Sequence, residues 1–137
     1  ATPLSRFLKW VWVMKHRRWL GLWSFYYACL HLMSYSFFDK ELSFAFISED
    51  IPKRPFILLG FLGYLLMLPL ALTSTNAMIQ KIGASRWRAL HKLVYPIAIL
   101  VCIHFWMIVK SDLFWPAFFA GLLAFLLGLR LIRAPYR

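Results

Sequence analysis

Four apolar stretches, each long enough to cross a hydrocarbon layer, dictate what this chain can fold into: about Arg18 to Phe38, Pro55 to Thr75, Lys92 to Val109 and Phe114 to Ile132. A bilayer core about 30 Å thick is spanned by roughly 20 residues of helix. Each stretch must be helical, because a lone strand in lipid leaves its backbone groups unpaired. The expected fold is therefore an all-α membrane protein, a single domain built as a bundle of four transmembrane helices. Composition excludes the soluble alternative, since 62% of the 137 residues are hydrophobic and only 15% are charged. A soluble domain this short could not hide so much apolar surface.

The charges between the spans set the orientation. Arg6, Lys9, Lys15, Arg17 and Arg18 precede the first span, Lys81, Arg86, Arg88 and Lys92 lie between the second and third, and Arg130, Arg133 and Arg137 close the chain. These three basic regions fall on one side, which the positive-inside rule makes cytoplasmic, together with both chain ends. The other two loops hold all five acids, Asp39, Glu41, Glu49, Asp50 and Asp112, with only Lys40, Lys53, Arg54 and Lys110. The net charge of +11 is thus a topology signal. It does not point to nucleic acid, for no soluble basic face exists to hold one.

Smaller features agree. Trp10, Trp12, Trp19 and Trp23 gather near the cytoplasmic entry, while Trp106 and Trp115 flank the outer loop, as an aromatic belt in contact with lipid does. Residues 3–14 are apolar but carry Arg6 and Lys9, and read as an interfacial helix or the end of an upstream span. Cys29 and Cys102 lie within spans, as packing residues rather than a disulfide. Thr73, Ser74, Thr75 and Asn76 are expected to end the second helix and satisfy its last carbonyls.

Function must come from polar residues that the membrane makes expensive, and histidines stand out. His16 belongs to the KHRR run and reads as an interfacial cation; His31, His91 and His104 lie in or at the ends of spans. The first and third spans run in the same direction, so His31 and His104 share a depth in the outer half of the membrane. Two imidazoles so placed can clamp one porphyrin iron from opposite faces. A histidine can also merely hydrogen-bond across a helix interface, but that role does not require matched depths. Zinc or copper competes weakly, as the spans supply no acidic ligand.

His91 lies about 20 Å lower than His104 on the same helix, placed for a second heme nearer the cytoplasm. At its depth the first span offers Arg17 and Arg18 in place of a histidine. A guanidinium is a poor iron ligand, so these arginines are expected to pair with heme propionates. A membrane scaffold or assembly subunit with no redox cofactor, and a transporter fragment, are the rival readings.

The strings RRWLGLWSFYYACLHLMSY, KRPFILLG, PLALTSTNAMIQKIG, RWRALHKLVYPIAI and HFWMIVK resemble the MsrQ family, formerly YedZ. These are heme-binding membrane subunits of the periplasmic methionine sulfoxide reductase system, within the ferric-reductase-like transmembrane group that also contains the NADPH oxidases. The resemblance runs from about Thr2 to beyond Lys110. It implies a multi-pass protein of the bacterial inner membrane, an electron-transfer subunit rather than a complete enzyme. It further implies b-type heme, one or two, with FMN as a possible flavin. Electrons would pass from the quinone pool or a cytoplasmic flavin reductase to the molybdenum-containing subunit MsrP. The family's heme-associated histidines fall on His31, His91 and His104, its arginine pair on Arg17 and Arg18. Family members usually have two further spans before the segment that starts here, which leaves flavin binding and complete activity open.

Overall fold

The computed structural model describes residues 11–39, 49 and 51–131, and among them every regular element is helical. Helix α1 spans Val11–Ser34 and passes into a π-helical turn at Tyr35–Asp39. Residues 11–14 of the expected interfacial segment continue into α1 without a break; residues 1–10, with Arg6, Lys9 and Trp10, lie outside the described residues, as do Arg133 and Arg137. Two serines of this segment satisfy their hydroxyls on their own helix. Ser24 and Ser36 donate their hydroxyls to the carbonyls of Leu20 and Leu32, at 2.8 Å each.

Helix α2, Pro55–Leu72, begins with proline at a position where its missing N–H is no loss. It ends as expected on Thr73 and Ser74, whose hydroxyls donate to Pro69 and Leu70 at 2.6 Å each. Thr75 then caps the short helix α3, Asn76–Ile82, by accepting from the Met78 N–H at 3.2 Å. Gly83, with φ +87° and ψ 143°, separates α3 from α4, Ala84–Leu90. That backbone conformation is nearly closed to any other residue.

A single 3-10 turn, His91–Leu93, joins α4 to α5, Val94–Ile108. Its cause is Pro96, which has no N–H for the Lys92 carbonyl and crowds it, so the chain tightens there. Helix α6, Phe114–Leu131, starts beneath Asp112, whose carboxylate accepts the Phe114 N–H at 3.1 Å.

Two of these runs, Pro55–Leu72 and Ala84–Ile108, are long and apolar enough to cross a membrane, and each has a single buried residue, Gly63 in one and Ile97 in the other. A core helix of a soluble protein would be mostly covered. Here Leu58, Leu62, Leu65, Ile99, Val101 and Ile103 stay exposed, as lipid permits. α2 and α5 pack closely along each other at the middle of the bundle, α1 lies more lightly on α2, and α6 leans on α5. The close approach of α2 and α5 runs past Gly63, whose bare backbone lies against Leu100 and Val101. α1 and α5 scarcely touch, so they flank α2 with a gap between them.

Candidate functional site

The gap between α1 and α5 is bridged at one level by two imidazoles. His31, on α1, and His104, on α5, stand 6.2 Å apart between ring centroids, with planes at 80°. They meet over α2, which is opened there by Gly60: a Cβ on that residue would fall 2.6 to 3.2 Å from three atoms of the His104 ring. His104 Nδ1 lies 2.6 Å from the Phe56 carbonyl oxygen, one helical turn before Gly60. A carbonyl can only accept, so Nδ1 carries a proton and Nε2 is the nitrogen left for a metal. That is the tautomer a metal-binding imidazole needs, held by the backbone contact that commonly orients one. His31 is the more exposed of the two rings, and His104 is half-buried.

One turn further along α2, Tyr64 stacks on Phe25 of α1, with centroids 5.8 Å apart, and its hydroxyl lies 3.6 Å from the Cys29 sulfur. These contacts set the depth of α1 against α2. Both Cys29 and Cys102 are free thiols, in keeping with packing.

The other end of the bundle carries a second cluster. His91 lies on the face of Trp87, 3.9 Å between centroids, and its Nδ1 is 3.1 Å from the Trp87 carbonyl oxygen. The same reasoning puts a proton on Nδ1 and leaves Nε2 as the nitrogen available to a metal. Trp87 is itself tied to the end of α2 through its indole N–H, which donates to the Thr73 carbonyl at 2.9 Å. Arg18 donates to the Asn76 side chain at 2.6 Å, joining α1 to the start of α3, and Arg17 beside it is exposed. Arg17, Arg18, Lys81, Arg86, Arg88 and Lys92 thus crowd one end, and Glu49, Lys53, Arg54, Lys110 and Asp112 lie at the other.

Of the five residues singled out by sequence, the structure brings His31 and His104 together and keeps His91 apart from them, on the level of Arg18. Sequence reasoning did not find Phe56, Gly60 or Trp87. Trp87 carried a usable signal, being four residues before His91 on a helix; nothing local distinguished Gly60 from any other glycine.

The sequence profile described as "Ferric reductase like transmembrane component" matches residues 1–102, well over half of the chain. The chain belongs to the ferric reductase-like transmembrane family. Similar proteins within reach include the protein-methionine-sulfoxide reductase heme-binding subunit MsrQ of Rhodospirillum rubrum, 44% identical over 137 residues, which are 100% of this chain and 66% of that protein. The MsrQ of Herminiimonas arsenicoxydans is 43% identical over 135 residues, 97% of this chain and 62% of that one. For Azospira oryzae the figures are 45% over 133 residues, 96% and 57%. The chain therefore spans less than two thirds of the length of these relatives. The ferric reductase-like match takes in His31 and His91, and the likeness to MsrQ continues through His104. No solved structure matches the chain.

Proposed function

We propose that this chain is the electron-carrying portion of a heme-binding membrane subunit that serves a protein-methionine-sulfoxide reductase. The observation that carries the reading is the pair His31 and His104, 6.2 Å apart across a gap between two helices. Two imidazoles on opposite sides of one metal ion, each at about 2.0 Å, have ring centroids roughly 6.3 Å apart. The donor set fits as well. Among the described residues no group of three His, Cys, Asp or Glu side chains gathers. Two nitrogens alone suit an iron whose other four positions belong to a porphyrin. The relatives' names, as heme-binding subunits, agree.

Heme bound there supplies one-electron chemistry between ferric and ferrous iron. His31 and His104 would hold the iron through one ring nitrogen each, an arrangement that would favour electron transfer over ligand binding. His104, bonded to Phe56 through Nδ1, is the stronger donor for that bond and favours the ferric state. Lipid against the apolar helices around the pair would lower the local dielectric.

The finer reading has four spans and both ends cytoplasmic, in the bacterial inner membrane. His91 serves a second b-type heme near the cytoplasmic face, and Arg17 or Arg18 pairs with its propionates. Electrons come from the quinone pool or a cytoplasmic flavin reductase, with FMN a candidate intermediary, and leave for a periplasmic molybdenum-containing partner, MsrP. The test is an absorbance spectrum of the purified protein. A Soret band, with sharp bands after dithionite, is expected; a protein that stays colourless after incubation with hemin defeats the reading.

A further inference from the structure

Most polar contacts in this bundle tie a side chain to its own helix, but His104 is fixed by a different one. Its ring lies against α2 at Gly60, and its Nδ1–H goes to the carbonyl of Phe56. Phe56 and Gly60 are four residues apart, hence on one face of α2, and together they make a bay one turn long. The wall of the bay is bare backbone and its floor is an acceptor oxygen. No substituent fits between: a methyl group at residue 60 would sit 2.6 Å from Cε1, 2.8 Å from Nδ1 and 3.2 Å from Nε2.

We infer that Gly60 is a positioning residue for His104, selecting the ring orientation and the Nδ1–H tautomer through access to the Phe56 carbonyl. The inference rests on the reading of His104 as a heme ligand and adds to it the element that sets the ligand's character. Three consequences follow from the geometry. With alanine at 60 the ring must swing away, because the obstacle on its other side of the contact is helix backbone, which cannot yield. Swinging away breaks the bond to Phe56. Nε2 then moves relative to His31, and the donor strength that the Phe56 carbonyl confers is lost.

Helix propensity works in the opposite direction, which makes the inference sharp. Alanine is a better helix former than glycine in a helix interior, so Gly60→Ala favours α2 while spoiling the site. Gly63 provides the internal control. It lies on the same helix, but a Cβ there would meet Val101 at 3.7 Å and Leu100 at 4.0 Å, ordinary contact distances.

The experiment compares Gly60→Ala, Gly63→Ala and His104→Ala in the full chain, purified in detergent and loaded with heme. Heme content, the low-spin spectrum and the midpoint potential are read for each. Gly60→Ala is expected to lose most of the low-spin component, or to keep it with a midpoint potential raised relative to the native protein; Gly63→Ala keeps both. If Gly60→Ala matches Gly63→Ala in spectrum and potential while His104→Ala loses the component, Gly60 does not position His104 and the inference falls. If His104→Ala keeps the whole spectrum, the ligand reading itself falls. Should Gly60→Ala fail to accumulate, the double variant Gly60→Ala/His104→Gly decides. Recovery to the level of His104→Gly alone supports a clash with the ring, and continued failure overturns the inference by making the glycine a requirement of the backbone.

Discussion

The imidazole of His91 stacks on the indole of Trp87, 3.9 Å between centroids with planes 28° apart, and the same tryptophan's carbonyl takes the histidine's Nδ1–H. One residue thus fixes both the tilt and the tautomer of the ring. Trp87 can do so because its own N–H is anchored to Thr73, at the end of α2. His91 is therefore held to α2 through a tryptophan, whereas His104 is held to it directly.

Trp87 should consequently be felt in stability as well as in the site. Trp87→Phe keeps an aromatic face for His91 but drops the bond to Thr73, a loss of about 1 kcal/mol. Trp87→Ala removes face and bond together and should cost about 3 kcal/mol, the lower end for a large aromatic because the ring is only half-buried. Reversible unfolding in mixed micelles measures both. Equal losses for the two variants would mean that the stack contributes nothing.

At Gly83 the prediction is purely conformational. A methyl group there meets no atom within 4 Å, yet φ +87° with ψ 143° is a region open almost only to glycine. Gly83→Ala should destabilise the protein by about 1 to 3 kcal/mol without altering either histidine level. Unchanged stability would require the turn between α3 and α4 to have rearranged, which a shift in the Trp87 fluorescence would reveal.

Much of this architecture is legible in the sequence. Hydropathy alone marks α2 and α5, and counting residues along two parallel spans brings His31 and His104 to one depth, because a helix has a fixed rise. The polar run from Thr73 ends α2 as its chemistry requires. The hidden parts depend on which helix faces which. That α2 packs against the helices of both histidines, and that Gly60 is the residue facing His104, follows from packing among residues 35 to 48 apart in sequence. Arg18 is a similar case. Its bond to Asn76 crosses 58 positions, and no local pattern around either residue announces it.

The shared level of His31 and His104 predicts shared spectral loss. If the two residues hold one heme, His31→Ala and His104→Ala should each abolish the same low-spin component, since either change would remove one of its two protein ligands. Difference spectra of the reduced proteins decide this. Loss of different components would separate the two residues into different sites.

Segregation of charge predicts the sidedness of the loops. A reporter that works only outside the cytoplasm should be active when fused near Glu49 and silent near Gly83, because the basic cluster of α3 and α4 is retained inside. The reverse pattern would turn the proposed electron path upside down.

His91 is about 20 Å from His104 along one helical run, too far for both to touch one iron, and its free Nε2 sits at the end of the bundle where Arg18 is bonded to Asn76. If electrons enter from the cytoplasm through a heme at His91, then His91→Ala should spare the spectrum of the outer heme while stopping its reduction by a cytoplasmic flavin donor. Arg18 can contribute there in two ways, by neutralising a propionate or by clamping α1 to α3. Asn76→Ala separates them, for it removes the clamp and leaves the charge. Retention of the inner heme should fall with Arg18→Ala and hold with Asn76→Ala if the charge matters, whereas equal losses in both variants would make Arg18 a structural tie. Loss of the outer heme in His91→Ala, with the outer spectrum kept in His31→Ala, would place His91 among the outer ligands and remove the second site altogether.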